Sequence, residues 1–163
     1  AALHLAALRC CMTWCVVARG SFEDQLRAFQ IKTQRKMTQL GRKVALELFK
    51  RVIYKTPVDK GRARANWQVT IGTTASGTVE IDDRNGGATM SKATAASAGF
   101  KAGDTIYLTN NLPYIMKLEE GGYPDGPKTV GGFSRQAPAG MVALTVQEFA
   151  QVVNQISVEV SRQ

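Results

Sequence analysis

Past its opening stretch the chain has no histidine and no cysteine. His4, Cys10, Cys11 and Cys15 all lie in the first 15 residues, so the body from Ser21 onward carries neither type. That absence excludes histidine general bases, Ser/His/Asp and Cys/His nucleophile systems, and zinc sites built from Cys and His. Carboxylate, lysine and metal-carboxylate chemistry stay open. There are only 5 prolines, and no apolar run reaches the roughly 20 clean residues a membrane span needs, because Arg9 interrupts the one candidate. No membrane partner is expected. At 163 residues, 44% hydrophobic and 21% charged, the chain has the size and composition of one folded domain.

The first twenty residues, rich in Ala, Leu and Cys, differ from all that follows. Arg9 and His4 break the uninterrupted apolar stretch a secretory signal requires. Residues 1–20 are expected to be an extension outside the fold, with 21–163 forming a single domain. Three is an odd number for a disulfide framework.

Between about 22 and 55, Leu26, Phe29, Met37, Leu40, Val44, Leu48 and Val52 recur at helical spacing, with no proline and one glycine. This predicts a long amphipathic helix, opened by a capping box from Ser21 and Asp24 and closed before Pro57. Trp67–Ile71 and Thr78–Asp82 alternate apolar and polar residues and predict a hairpin around Ser76-Gly77. Residues 88–98 read as a short helix or a loop, 105–109 as a third strand, and 113–119 as a short helix. A surface loop over 123–136 and a last helix from Pro138 to about Val160 complete the chain. The expected class is α+β, with a long N-terminal helix and a C-terminal helix packed on one small antiparallel sheet.

Charge is uneven. Twelve basic residues between Arg27 and Arg64 face only Glu47 and Asp59, whereas the chain from Ala65 has 7 basic and 9 acidic side chains. Such a segment is a solvated helix face, or a surface for DNA or an acidic partner. Gly122–Thr129 has the composition of a phosphate loop but not its spacing. Asp82-Asp83 and Glu119-Glu120 lack calcium-loop spacing and read as turn residues. Arg62, Arg64, Asn66 and Trp67 combine the groups of a single-strand nucleic-acid surface, but without a second aromatic platform Trp67 reads as core. No cofactor is expected.

Three segments together resemble the neck or tail-completion proteins of tailed bacteriophages. They are Thr56-Pro57-Val58-Asp59-Lys60-Gly61-Arg62-Ala63-Arg64-Ala65-Asn66-Trp67, then Ile106–Tyr114 with Leu118-Glu119-Glu120-Gly121-Gly122, then Gln136–Met141. Lys60 stands where that family often has Thr or Ser. The resemblance implies a non-enzymatic virion protein, made in the host cytoplasm and forming a ring, usually of six copies, at the head-tail junction or the top of the tail tube. Its implied partners are other connector, tail-terminator or tail-tube proteins, with non-specific contact to passing DNA. Asn110, Asn111, Pro113 and Tyr114, with Tyr123, Pro124, Phe133 and Arg135 of the loop, are the candidate ring interface, although Tyr114 by itself reads as core. Arg35, Lys36, Arg42, Lys43, Arg62 and Arg64 are the candidate face for the DNA channel or an acidic neighbour. The competing classes are a stand-alone nucleic-acid-binding module using residues 27–64 and a carboxylate-dependent nuclease or hydrolase.

Overall fold

The computed structural model describes residues 20–162, so all but the last residue of the expected extension lies outside the described residues. The first element is helix α1, Phe22–Lys55. Its start is the expected capping box. Ser21 Oγ accepts from the Asp24 amide at 3.3 Å, and the Asp24 carboxylate accepts from the Ser21 amide at 3.0 Å. At 1.5 Å per residue α1 is about 50 Å long, and only its C-terminal part enters the body. Residues 20–35 are all exposed, while Ala45, Phe49, Val52 and Ile53 are buried.

A single turn of helix, α2 (Arg62–Ala65), leads into strand β1 (Gln68–Ile71). The predicted hairpin does not form. β1 pairs antiparallel with β2 (Ile106–Thr109), opposing Val69 to Leu108 and Ile71 to Ile106. The backbone of 75–79 finds its partners in side-chain amides instead of a ladder. Buried Asn66 donates to the Val79 carbonyl at 2.8 Å and accepts from its amide at 2.6 Å. Gln68 and Asn111 donate to the Gly77 carbonyl, and Asn111 also donates to that of Ala75. With its hydrogen bonds met locally, this stretch has no need of a strand partner.

The segment read as helix or loop is α3, Gly87–Ser97, which packs between α1 and β1. Asp83 anchors its start by accepting from the Gly86 amide and from the Thr89 amide and hydroxyl, each at 2.8 Å. Helix α4 (Ile115–Glu120) follows β2, and the expected loop contains a two-residue hairpin, β3 (Thr129–Val130) with β4 (Phe133–Ser134). The last helix is two: α5 (Val142–Gln147) and α6 (Phe149–Ser161). The break at Glu148 lets Met141 and Thr145 face the main core while Val152, Ile156 and Val160 face α1.

The fold is thus α+β, as expected, with two small antiparallel sheets among the described residues in place of one. The main core joins Ala45, Phe49, Val52 and Ile53 to Ala63, Trp67, Leu112, Ile115 and Met141. A second cluster packs Val152, Ile156 and Val160 on Leu40, Val44 and Leu48. Of the stripe read along α1, Leu26, Phe29 and Met37 stay exposed.

Candidate functional site

Proline ends α1 at Thr56, and the chain then turns sharply through Gly61, whose φ of +102° favours glycine. A Cβ at Gly61 would lie 2.6 Å from the Arg84 amide nitrogen and the Asp83 carbonyl carbon. Glycine therefore lets the turn press against residues 83–84. Its opposite side forms one wall of a cleft of about 440 Å³, within the size range of ligand pockets. Tyr114 and Leu118 contribute the floor from α4 and the residue before it, and Tyr123, Thr129, Ser134 and Gln136 the far wall.

Two contacts tie the loop to the turn. Gln136 donates to the Val58 carbonyl at 3.0 Å and accepts from its amide at 2.8 Å, a two-way clasp like that of Asn66 on Val79. At the rim Lys128 reaches Asp59 at 3.0 Å, and its hydrogen bond and charge hold the Asp59 carboxyl below its ordinary range. Both partners of that pair are exposed, so it contributes little to stability. Burial pushes the Tyr114 hydroxyl above its ordinary value, despite Arg62 nearby.

The expected interface residues divide. Tyr114 and Tyr123 line the cleft, half-buried. Half-buried Phe133 packs against Gly121, where a Cβ would come within 3.1 Å of its ring. Pro113, Pro124 and Arg135 are exposed and do not line the cleft. Asn110 and Asn111 are engaged within the subunit: Asn110 donates to the Ala63 carbonyl and accepts from the Leu112 amide, and exposed Asn111 holds residues 75–77. The reading of Tyr114 as core is half met, since one side of it opens to the cleft.

The expected basic face is also partly engaged. Arg42 donates to the Ala98 and Phe100 carbonyls at the end of α3. Lys43 pairs with Glu159 at 2.5 Å, and Arg62 with Glu80 at 3.2 Å. Arg64 donates to the carbonyls of Arg84, Tyr54 and Thr56 and lies 5.8 Å from the Tyr54 ring centre; desolvation lowers its pKa. Arg35 and Lys36 are the two without a polar partner among the described residues.

Glu119, read from the sequence as a turn residue, has a different role. The Glu119 carboxylate accepts from the amides of Met141, Val142 and Ala143 at 2.7–2.9 Å, closing the start of α5 from a distance. Its only sequence signal is membership of the Leu118–Gly122 motif. Among the described residues no group of three or more His, Cys, Asp or Glu comes together as metal ligands do, and no helix is long and apolar enough to cross a membrane. Comparison with protein-family models, with curated proteins and with solved structures finds no match.

Proposed function

We propose that this chain is a non-catalytic structural subunit that closes into a ring, in the manner of the phage neck and tail-completion proteins it resembles. One observation carries the reading: the segments of that resemblance, far apart in sequence, meet around one cleft. Pro57–Ala63, Tyr114 with Leu118, and Gln136 all line it. Glu119, in the second segment, also fastens Met141 in the third. In a closed ring each copy presents one surface to the copy before it and a different one to the copy after. The cleft, lined from the loop by Tyr123, Lys128, Thr129 and Ser134, supplies a concave member of such a pair. The virion neck, with the ring around passing DNA, is the setting this reading gives the protein.

A stand-alone nucleic-acid module draws less support, since Arg42, Lys43, Arg62 and Arg64 already hold intramolecular partners. The full chain, imaged by negative-stain electron microscopy with and without duplex DNA, tests the choice. Closed rings, about six copies each, formed without DNA are the expected result. A small species that binds DNA with a steep salt slope would overturn the ring in favour of the module.

A further inference from the structure

The sheet of β1 and β2 has two outer edges, and they differ. Gly72 donates its amide to the Thr105 carbonyl at 2.9 Å, one step beyond the pairing of Ile71 with Ile106. Antiparallel pairs alternate, so Thr105, Tyr107 and Thr109 turn their backbone groups toward β1, while Ile106 and Leu108 turn theirs outward. Among the described residues, neither outward amide and neither outward carbonyl has a hydrogen-bond partner. Helix α3 lies along β1, whereas among the described residues no helix or strand lies comparably close to β2 on its far side. The run Thr105-Ile106-Tyr107-Leu108-Thr109 contains no charge, proline or glycine, and its register shows no bulge. The usual devices that blunt a free edge are missing, and such an edge is a template for another strand. Its two faces are unlike. Ile106 and Leu108 pack on the main core, and Tyr107, opposite Thr70, lies on the other face.

We propose that β2 pairs antiparallel with β2 of a second copy, joining the two small sheets into one of four strands. The strand is complementary to itself. When the outward groups of one copy meet those of the other, Ile106 stands opposite Leu108 of the second copy, twice over, and Tyr107 stands opposite Tyr107. That register satisfies every outward amide and carbonyl of both strands with four hydrogen bonds. Its two-fold axis runs perpendicular to the sheet through the tyrosine pair, so the core face of one copy continues into the core face of the other. Aliphatic side chains then meet on one side and aromatic ones on the other, both favourable as cross-strand pairs. No charges are opposed, because the strand has none. A parallel pairing through the same edge would turn one copy over and set its core face level with the other's polar face. The contact is isologous, so it is distinct from the head-to-tail contact of a ring and does not depend on it.

Disulfide mapping on the full chain tests this, with Cys10→Ser, Cys11→Ser and Cys15→Ser removing the native thiols. Residues opposed in a pair that exchanges no hydrogen bonds have Cα atoms about 4.5 Å apart, within the range a disulfide spans. Under mild oxidation Tyr107→Cys should therefore give a linked two-copy species as its main product. Thr105→Cys alone and Thr109→Cys alone should give almost none, since identical residues there stand four positions apart, about 14 Å. Mixed together, those two chains should link 105 to 109. A Tyr107→Cys chain that stays single, Thr105→Cys chains that link to each other as readily as Tyr107→Cys ones, or a mixture that does not link would each overturn the proposal. Adding Tyr107→Lys to both chains of the mixture opposes two ammonium groups at the axis. In chains that keep a cooperative thermal melt it should abolish the 105 to 109 link, and a link that persists overturns the pairing as well. Rings that form without these links would count against the pairing alone, whereas the links in a chain that never closes would count against the ring alone.

Discussion

Trp67 Nε1 donates to the Thr56 hydroxyl at 2.8 Å, and that hydroxyl in turn donates to the Val52 carbonyl at 2.7 Å. All three residues are buried. The last turn of α1 is thereby joined to the entry of β1 by a two-bond relay inside the core. Trp67→Ala should cost on the order of 3–5 kcal/mol in urea unfolding, from lost burial and the cavity left behind. Trp67→Phe keeps most of the volume but strands the Thr56 oxygen without its donor. Part of its cost should vanish in a Thr56→Val background, and strict additivity of the two substitutions would contradict the relay.

Gly61 and Gly103 form a matched pair, with φ of +102° and +103°. A Cβ at Gly61 meets backbone at 2.6 Å, whereas at Gly103 nothing lies within 4 Å. Gly103→Ala should cost only about 1 kcal/mol, the conformational penalty. Gly61→Ala carries that penalty and also forces the turn off residues 83–84, so its loss should be several-fold larger. Equal melting temperatures for the two variants would show that the turn does not rest on that strand of chain.

Asp83 ties stability to pH. Burial alone would raise its pKa, but hydrogen bonds from Thr89 and Gly86, with the Arg64 charge, outweigh it and hold the carboxyl below its ordinary value. A depressed folded-state value adds stability that is present above the unfolded value of about 4 and is lost as pH falls through the folded one. Asp83→Asn should therefore be less stable at pH 7 by about 1–3 kcal/mol. The gap to wild type should narrow below pH 4, and a gap constant down to pH 2 would exclude the mechanism.

Reversing charge along α1 should not be uniform in its effect. Arg35→Glu with Lys36→Glu changes two side chains that have no polar partner among the described residues, and stability should stay within about 0.5 kcal/mol for each. Arg42→Glu removes the donor from two carbonyls at the end of α3 and sets a carboxylate against them, so it should lower the melting temperature clearly. Paired thermal melts check both halves.

Where the determinants are local, the fold is legible in the sequence. The α1 boundaries follow from Ser21, Asp24 and Pro57, each acting within four residues, and the burial of Trp67 follows from the lack of a second aromatic platform. What stays hidden depends on partners remote in the chain. Asn66 holds Val79 from 13 residues away, and Gln136 clasps Val58 from 78. Neither amide differs in sequence from a solvated one. The alternation of Thr78–Asp82 mimics a strand because periodicity does not reveal that the hydrogen bonds are already taken. Helix α3, rich in Ala, Ser and Thr, has little apolar contrast. It is fixed from outside, by Asp83 at its start and Arg42 at its end. The cleft was legible as a set of motifs but not as a place, since Gln136 joins its walls only in three dimensions.

The packing of α6 on α1 has a consequence for how the protein is made. Helix α1 ends at Lys55, and the cover of its Leu40, Val44 and Leu48 face begins only at Phe149. At about 5–20 residues per second, the ribosome leaves α1 waiting on the order of 5–20 s for that partner. Through that interval Leu40, Val44 and Leu48 have nothing to close over them. During synthesis the whole length of the helix is therefore a continuous sticky ribbon, open to nascent-chain chaperones and to neighbouring chains on the same message.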